Sequence, residues 1–325
     1  MRTFVVFGGA AALWLVCSLP LAADPASGEG GASAGSEEVP VACSYRATAK
    51  GPDGALRGQF LPSHGLFRPP IADVKQPRLA ASLRRTSVEG GLLAAQEDSG
   101  GDFLAGVVSF GGTVPLYGFR AGHCNGVQIG LTAGVFSQFN LDTPSLNLIN
   151  SDFIVGFPIT GRLGRLSARL RLLHQSSHLG DEFILDNDGV DRENLSFEGA
   201  DLLVSYAGDA WRIYGGGGYF FNRIDLTEPV FLQGGAEFRS STLWSPRLSE
   251  RTEMEAVAGV DVKSFQERDW GATTSLKVGM EAATRDGVTR RFRLLFVFLD
   301  GFVPFGQFFD DEKLTNFGGE VQYEF

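Results

Sequence analysis

The sequence is poor in methionine and cysteine, with three of each in 325 residues. Cys17 follows Leu15 and Val16 rather than small residues, so it is not in a lipoprotein setting and is expected to leave with an N-terminal leader. Cys43 and Cys124 remain. Two cysteines so far apart do not make a zinc site by spacing. In an oxidising compartment they either pair or stay as two thiols. Basic residues are not in excess: 28 Lys and Arg stand against 38 Asp and Glu, for a net charge of −10. With a pI near 5.0, a nucleic-acid partner is not expected. Beyond residue 19 no apolar run is long enough for a spanning helix. Gly215-Gly216-Gly217-Gly218 precedes neither a helix pattern nor a Lys-Ser/Thr pair. It is therefore no phosphate loop. It reads instead as a strand that leaves room for a close neighbour.

What is present is glycine and phenylalanine, 43 and 27 residues, at a mean hydropathy of only +0.01. The N-terminus has Arg2, an apolar run from Phe4 to about Leu19, and a small-residue site at Ala22-Ala23. That is the anatomy of a secretory signal peptide, residues 1–23. Residues 24–42 are small and polar and read as a disordered linker. Residues 43–77 are rich in Pro and Gly and are expected to form an irregular periplasmic segment that plugs or braces the mouth of the C-terminal domain.

From residue 78 to 325 the pattern has period two. Phe317, Val321, Tyr323 and Phe325 share one face, and Asn316, Glu320, Gln322 and Glu324 the other. Val127, Ile129, Leu131, Ala133 and Val135 alternate with Gln128 and Thr132. Leu276, Val278 and Met280 alternate with Lys277 and Glu281, and Phe292, Leu294, Phe296 and Phe298 with Arg291 and Arg293. Charges on the second face are expensive in lipid, so that face lines a polar interior. An all-β, antiparallel transmembrane barrel is predicted. Its strands lie near 78–86, 102–121, 126–139, 147–159, 165–178, 194–207, 211–224, 230–241, 253–266, 271–284, 288–300 and 315–325, twelve in all. The even count requires 102–121 to be one strand, kinked at Gly111-Gly112.

With both termini periplasmic, the turns 208–210 and 285–287 are periplasmic and the stretches 87–101, 179–193 and 301–314 are extracellular. The turn at 242–252 is long for its side, and Cys124 falls in a periplasmic turn that Cys43 can reach. The terminal Phe325 resembles the closing-strand signature that outer-membrane assembly machinery reads. That resemblance implies residence in the bacterial outer membrane.

Two segments carry a wider likeness. Residues 65–82, "GLFRPPIADVKQPRLAAS", and 169–183, "RLRLLHQSSHLGDEF", resemble a bacterial family known as domain of unknown function number twelve-oh-seven. The likeness covers residues 58 to 325. It implies an outer-membrane barrel and no particular activity.

The second segment also holds the candidate site. Leu166, Ala168, Leu170 and Leu172 face lipid, while Arg169 and Arg171 point in. Continuing the alternation puts His174, Ser176 and His178 on the lipid side. On the next strand Ala200, Leu202, Val204 and Tyr206 face lipid, and so do Asn194, Ser196 and Glu198 above them. Aligning Leu172 with Ala200 sets His174 near Glu198 and Ser176 near Ser196. Ser176 would then be a nucleophile, His174 its base, and Glu198 (or Asn194) the group that orients the imidazole. This arrangement resembles the outer-membrane phospholipase A and lipid A deacylase families, which use a His-x-Ser pair on a lipid-facing strand with Asn or Glu on its neighbour. In phospholipase A the pair is followed by Asn-Gly; here Ser177 and His178 follow.

The loop beyond is acidic. Asp186, Asp188 and Asp191 offer oxygen ligands suited to calcium, or simply a solvated face. His174 and His178 stand too far apart along a strand, about 13 Å, for one ion. Three functions compete: a lipid acyl hydrolase, a narrow pore or uptake barrel governed by Arg169, Arg171, Arg291 and Arg293, and a structural barrel that binds lipopolysaccharide. The interior of a twelve-strand barrel is narrow, which counts against a wide pore.

Overall fold

The computed structural model describes residues 57–62, 64–94, 101–121, 125–187, 195–224, 228–240, 244–249, 252–284, 290–308 and 312–324. The leader, the linker, Cys43, Cys124, the turn at 285–287 and Phe325 lie outside the described residues.

The strands, in chain order, are β1 (Arg57–Phe60), β2 (Leu79–Glu89), β3 (Asp102–Ala121), β4 (Asn125–Asn140), β5 (Leu148–Leu163), β6 (Leu166–Leu179) and β7 (Ser196–Ala207). They continue as β8 (Trp211–Ile224), β9 (Val230–Arg239), β10 (Arg247–Ser249), β11 (Thr252–Phe265), β12 (Ala272–Thr284), β13 (Arg291–Phe302) and β14 (Lys313–Glu324). All pairings are antiparallel; with the short β1 and β10 set aside, each strand pairs with the next, and β14 pairs back onto β2, closing a twelve-strand barrel. Period-two patterning produces this wall because alternate side chains leave a strand on opposite faces. Phe153, Val155 and Phe157 are exposed on the outside of β5, while Asp152 on the same strand is buried inside.

The irregularity in the pairing of β3 does not fall at Gly111-Gly112, where the kink was expected. Gly111 and Gly112 pair in register with Gly134 and Ala133, and the register slips instead between Pro115 and Tyr117. Proline has no N–H to give the ladder, so the irregularity settles there. Gly111 serves another purpose: a Cβ on it would press against Ala133 O and the Pro77 ring. The Gly215–Gly218 run of β8 also packs closely, since a side chain at Gly218 would collide with the Phe231 ring. The long turn before β11 is partly spent on a short hairpin, in which β10 pairs β11.

The segment from 57 to 78 is less irregular than expected. β1 pairs with the end of β3, Arg57 opposite Arg120 and Phe60 opposite Tyr117. The chain then runs into the lumen, where Ile71, Ala72 and Asp73 are buried. Ile71 N–H donates to Glu237 Oε1 at 2.7 Å, and Lys263 Nζ lies 2.7 Å from Asp73 Oδ1. Arg78 Nη1 donates to Gln322 Oε1 at 2.9 Å.

Around this segment the lumen is filled by paired charges. Glu281 accepts from Arg239 at 2.7 Å and Arg293 at 2.5 Å. Glu320 accepts from Lys277 at 2.6 Å and Arg84 at 2.8 Å. Asp201 accepts from Arg171 at 2.6 Å and Arg169 at 2.9 Å. Toward the end with the longer connections the filling turns apolar. Phe183 from a helix at Asp181–Asp186 and Phe305 and Phe308 from the β13–β14 connection pack on Val88, Phe103, Phe136 and Leu314. Across the lumen Phe197, Phe220, Phe231 and Phe265 form a ladder, with successive ring centroids 4.4, 5.3 and 5.4 Å apart.

Candidate functional site

The site lies on the outside of the wall, where β6 meets β7. The register sets Leu172 opposite Ala200, His174 opposite Glu198 and Ser176 opposite Ser196. This matches the alignment read from the apolar limits of the two strands. His174 Nδ1 and Glu198 Oε1 are 2.9 Å apart. The two side chains are 42% and 36% exposed, so the pair faces outward and is not sealed in the wall. With Nδ1 committed to the carboxylate, Nε2 is the nitrogen left to take a proton. Ser176 leaves the same face two residues along β6, about 6.5–7 Å between Cα atoms. Among the described residues Ser176 Oγ has no hydrogen bond, so its hydroxyl is free to turn toward the imidazole.

The second carboxylate oxygen, Glu198 Oε2, accepts from Asn222 Nδ2 on β8. Asn194 lies outside the described residues, and the amide seen at the carboxylate is Asn222. The sequence hid this partner behind a bulge. The register shifts between Glu198 and Gly199, so that Gly199 opposes Phe220 while Glu198 opposes Asn222. Strict alternation would have set Phe221 there. The extra residue re-aims the asparagine, as bulges do.

The polar surface continues to the other side of β6. Ser151 opposes His178, and Ser137 Oγ and Ser151 Oγ lie 2.7 Å apart across β4 and β5. The Phe153 ring meets the His178 ring edge-on at 5.7 Å. Below these residues the outer wall is apolar, with Leu172, Phe157, Leu202 and Val204 all exposed. The arrangement is a polar strip at the upper margin of an apolar band, which is where a lipid headgroup and its ester bonds would lie.

The acidic loop is different. Asp188 and Asp191 lie outside the described residues, and Asp186 Oδ2 accepts from Asn147 Nδ2 at 2.5 Å. Among the described residues no three His, Cys, Asp or Glu side chains stand close enough to hold a metal ion. Arg169 and Arg171 do point inward, as the alternation predicted, and Asp201 holds both.

Residues 32–325 match the family described as "Protein of unknown function (DUF1207)". The chain belongs to this family. No curated protein matches it. Among solved structures it is similar to outer membrane phospholipase A from Escherichia coli, at 11% identity and a TM-score of 0.47, with 78% of this chain and 93% of that one covered. It is also similar to the beta domain of the Bordetella autotransporter BrkA, at 13% identity and a TM-score of 0.39, covering 77% and 98% of the two chains. This family member is an outer-membrane-type β-barrel: apolar outside, charged inside, and closed by the pairing of β14 with β2.

Proposed function

We propose that the protein is an outer-membrane barrel whose outer face at β6 and β7 is a serine acyl-hydrolase site for lipid of the outer leaflet. The observation that carries this is the outward His174–Glu198 pair at 2.9 Å, with Ser176 on the same face and strand. Ser176 Oγ attacks an ester carbonyl as His174 Nε2 takes its proton. The imidazolium then protonates the departing alcohol, and water cleaves the acyl-enzyme by the same route. Glu198 holds the imidazole's orientation and meets its positive charge, and Asn222 holds Glu198. Ser196, opposite Ser176, supplies a hydroxyl that would help polarise the carbonyl.

In this reading both barrel ends of the chain are periplasmic, and the longer connections and the polar strip face the exterior. Phe325 addresses the assembly machinery, and lipopolysaccharide or phospholipid is the partner at the strip. The ion-paired lumen argues against an open pore.

The test is labelling of the detergent-folded barrel by a serine-reactive sulfonyl fluoride, with and without calcium. Labelling that disappears in Ser176→Ala supports an activated serine. A folded wild-type protein that stays unlabelled in both conditions sinks the hydrolase and leaves a lipid-binding barrel without turnover.

A further inference from the structure

The lumen holds a second feature, independent of the acyl-hydrolase site and on the other side of the wall. At the short-turn end, beyond the buried 71–73 stretch, a cavity is lined by Arg68, Arg78, Arg162, Arg169, Arg171 and Arg291. Among the described residues the only carboxylate on its wall is Glu324.

The ion pairs do not balance this charge. Asp201 is shared by Arg169 and Arg171. Arg291 meets Glu281 at 3.4 Å and Glu324 at 3.2 Å, but Arg293 uses both of those carboxylates as well, and Arg239 uses Glu281. Arg78 donates only to neutral oxygens: Gln322 Oε1 at 2.9 Å, Ile71 O at 3.2 Å, Gln76 O at 3.4 Å and Pro70 O. Arg68 makes no hydrogen bond or ion pair to any described residue. It is half-buried and lies beside Arg212, Glu237 and Arg239. Burial and the charges of Arg239, Arg212 and Arg291 push its pKa down to about 9, against the pull of Glu237.

A guanidinium carries five donors and cannot easily shed its charge, so an unpaired one among other cations is costly. Elsewhere in the lumen Arg239, Arg293, Lys277 and Arg84 avoid that cost by pairing with Glu281 and Glu320. Around this cavity the arginines outnumber the carboxylates that pair with them, and Arg68 and Arg78 have no carboxylate within ion-pair distance among the described residues. Arginine forks match phosphate and carboxylate oxygens in bidentate geometry. We propose that this cavity binds a small multivalent oxyanion, bearing phosphate or carboxylate groups, with Arg68 as its principal ligand.

The experiment uses the full chain folded in detergent. Pyrophosphate and citrate are titrated separately against sodium chloride of equal ionic strength, and both the melting temperature and the heat of binding are read. At least one of the two should raise the melting temperature beyond the salt control. Arg68→Gln removes no bond to a described residue, so it should fold, and it should weaken binding by about ten-fold or more, the effect of losing one charge-assisted contact. Arg85→Gln, on the exposed outer face, should bind as wild type does. A response to pyrophosphate alone identifies phosphate as the preferred group, and a response to citrate alone identifies carboxylate. No anion-specific effect with either probe, or an equal effect in wild type and Arg68→Gln, overturns the proposal.

Discussion

Glu281 and Glu198 are both carboxylates on barrel strands, and their surroundings differ almost completely. Glu281 points into the lumen, is buried, and is gripped by Arg239, Arg291 and Arg293. Glu198 points outward, is about one-third exposed, and meets one imidazole and one amide. The inner group is part of the barrel's mechanical filling. Its removal would leave three arginines competing for the carboxylates that remain. The outer group adds little stability, because an exposed pair is worth at most about 1 kcal/mol. Its neighbours are polar residues on a face that lipid would prefer apolar. Stability explains the first carboxylate and not the second, and the acyl-hydrolase chemistry proposed for the outer face would account for the second.

The largest effect should come from the outer face. Ser176→Ala should reduce serine-directed labelling and lipid hydrolysis to background, a loss on the order of 10³-fold or more, with an unchanged unfolding midpoint. A Ser176→Ala protein that keeps its activity would end the contrast, since the outer strip would then be inert. Next comes the inner face. Glu281→Ala should destabilise the barrel by about 3–5 kcal/mol, the usual result of breaking a buried ion pair from one side. Equilibrium unfolding in urea and lipid vesicles would measure it. A change under about 1 kcal/mol would mean that the luminal network is far more solvated than its geometry suggests.

Glu198→Gln should come third, and here the two carboxylates separate most clearly. It should lower turnover by about 10- to 100-fold, because the amide cannot stabilise the imidazolium. It should cost less than about 1 kcal/mol of stability. Glu281→Gln should reverse that order, with a large loss of stability and little effect on turnover.

The fold was legible because a barrel wall repeats one signal many times. Leu276–Lys277–Val278 and Phe292–Arg293–Leu294 each say little alone. Taken together, such alternations located twelve strands to within a few residues. The His174–Glu198 juxtaposition was legible for the same reason: where the apolar run ends on two adjacent strands, the register between them is set. Two classes of fact stayed hidden. Bulges move a residue without changing composition, so Asn222 and the true irregularity of β3 at Pro115 could not be read from alternation. The path of a non-repeating segment has no period at all. Nothing in "FRPPIADVK" announces that Arg68, Asp73 and Lys75 enter the lumen, and so the arginine cavity was invisible before the fold was known.

The smallest effect concerns Asn222, and it bears on whether the outer carboxylate is organised for work. Asn222 donates to the oxygen of Glu198 that His174 does not use. If Glu198 is only a headgroup-facing side chain, this amide is incidental, and Asn222→Ala changes neither stability nor turnover. If Glu198 orients a catalytic imidazole, losing the amide lets the carboxylate swing and loosens the base. Turnover should then fall a few-fold, about 1 kcal/mol in the barrier, while the concentration of substrate giving half-maximal rate stays fixed, because the amide touches no substrate. Asn222→Asp sharpens the distinction. It keeps the shape but sets a second negative charge against Glu198, and it should be worse than alanine if position is what matters. Equal activity in all three proteins would place Asn222 outside the site and leave the His174–Glu198 pair to stand alone.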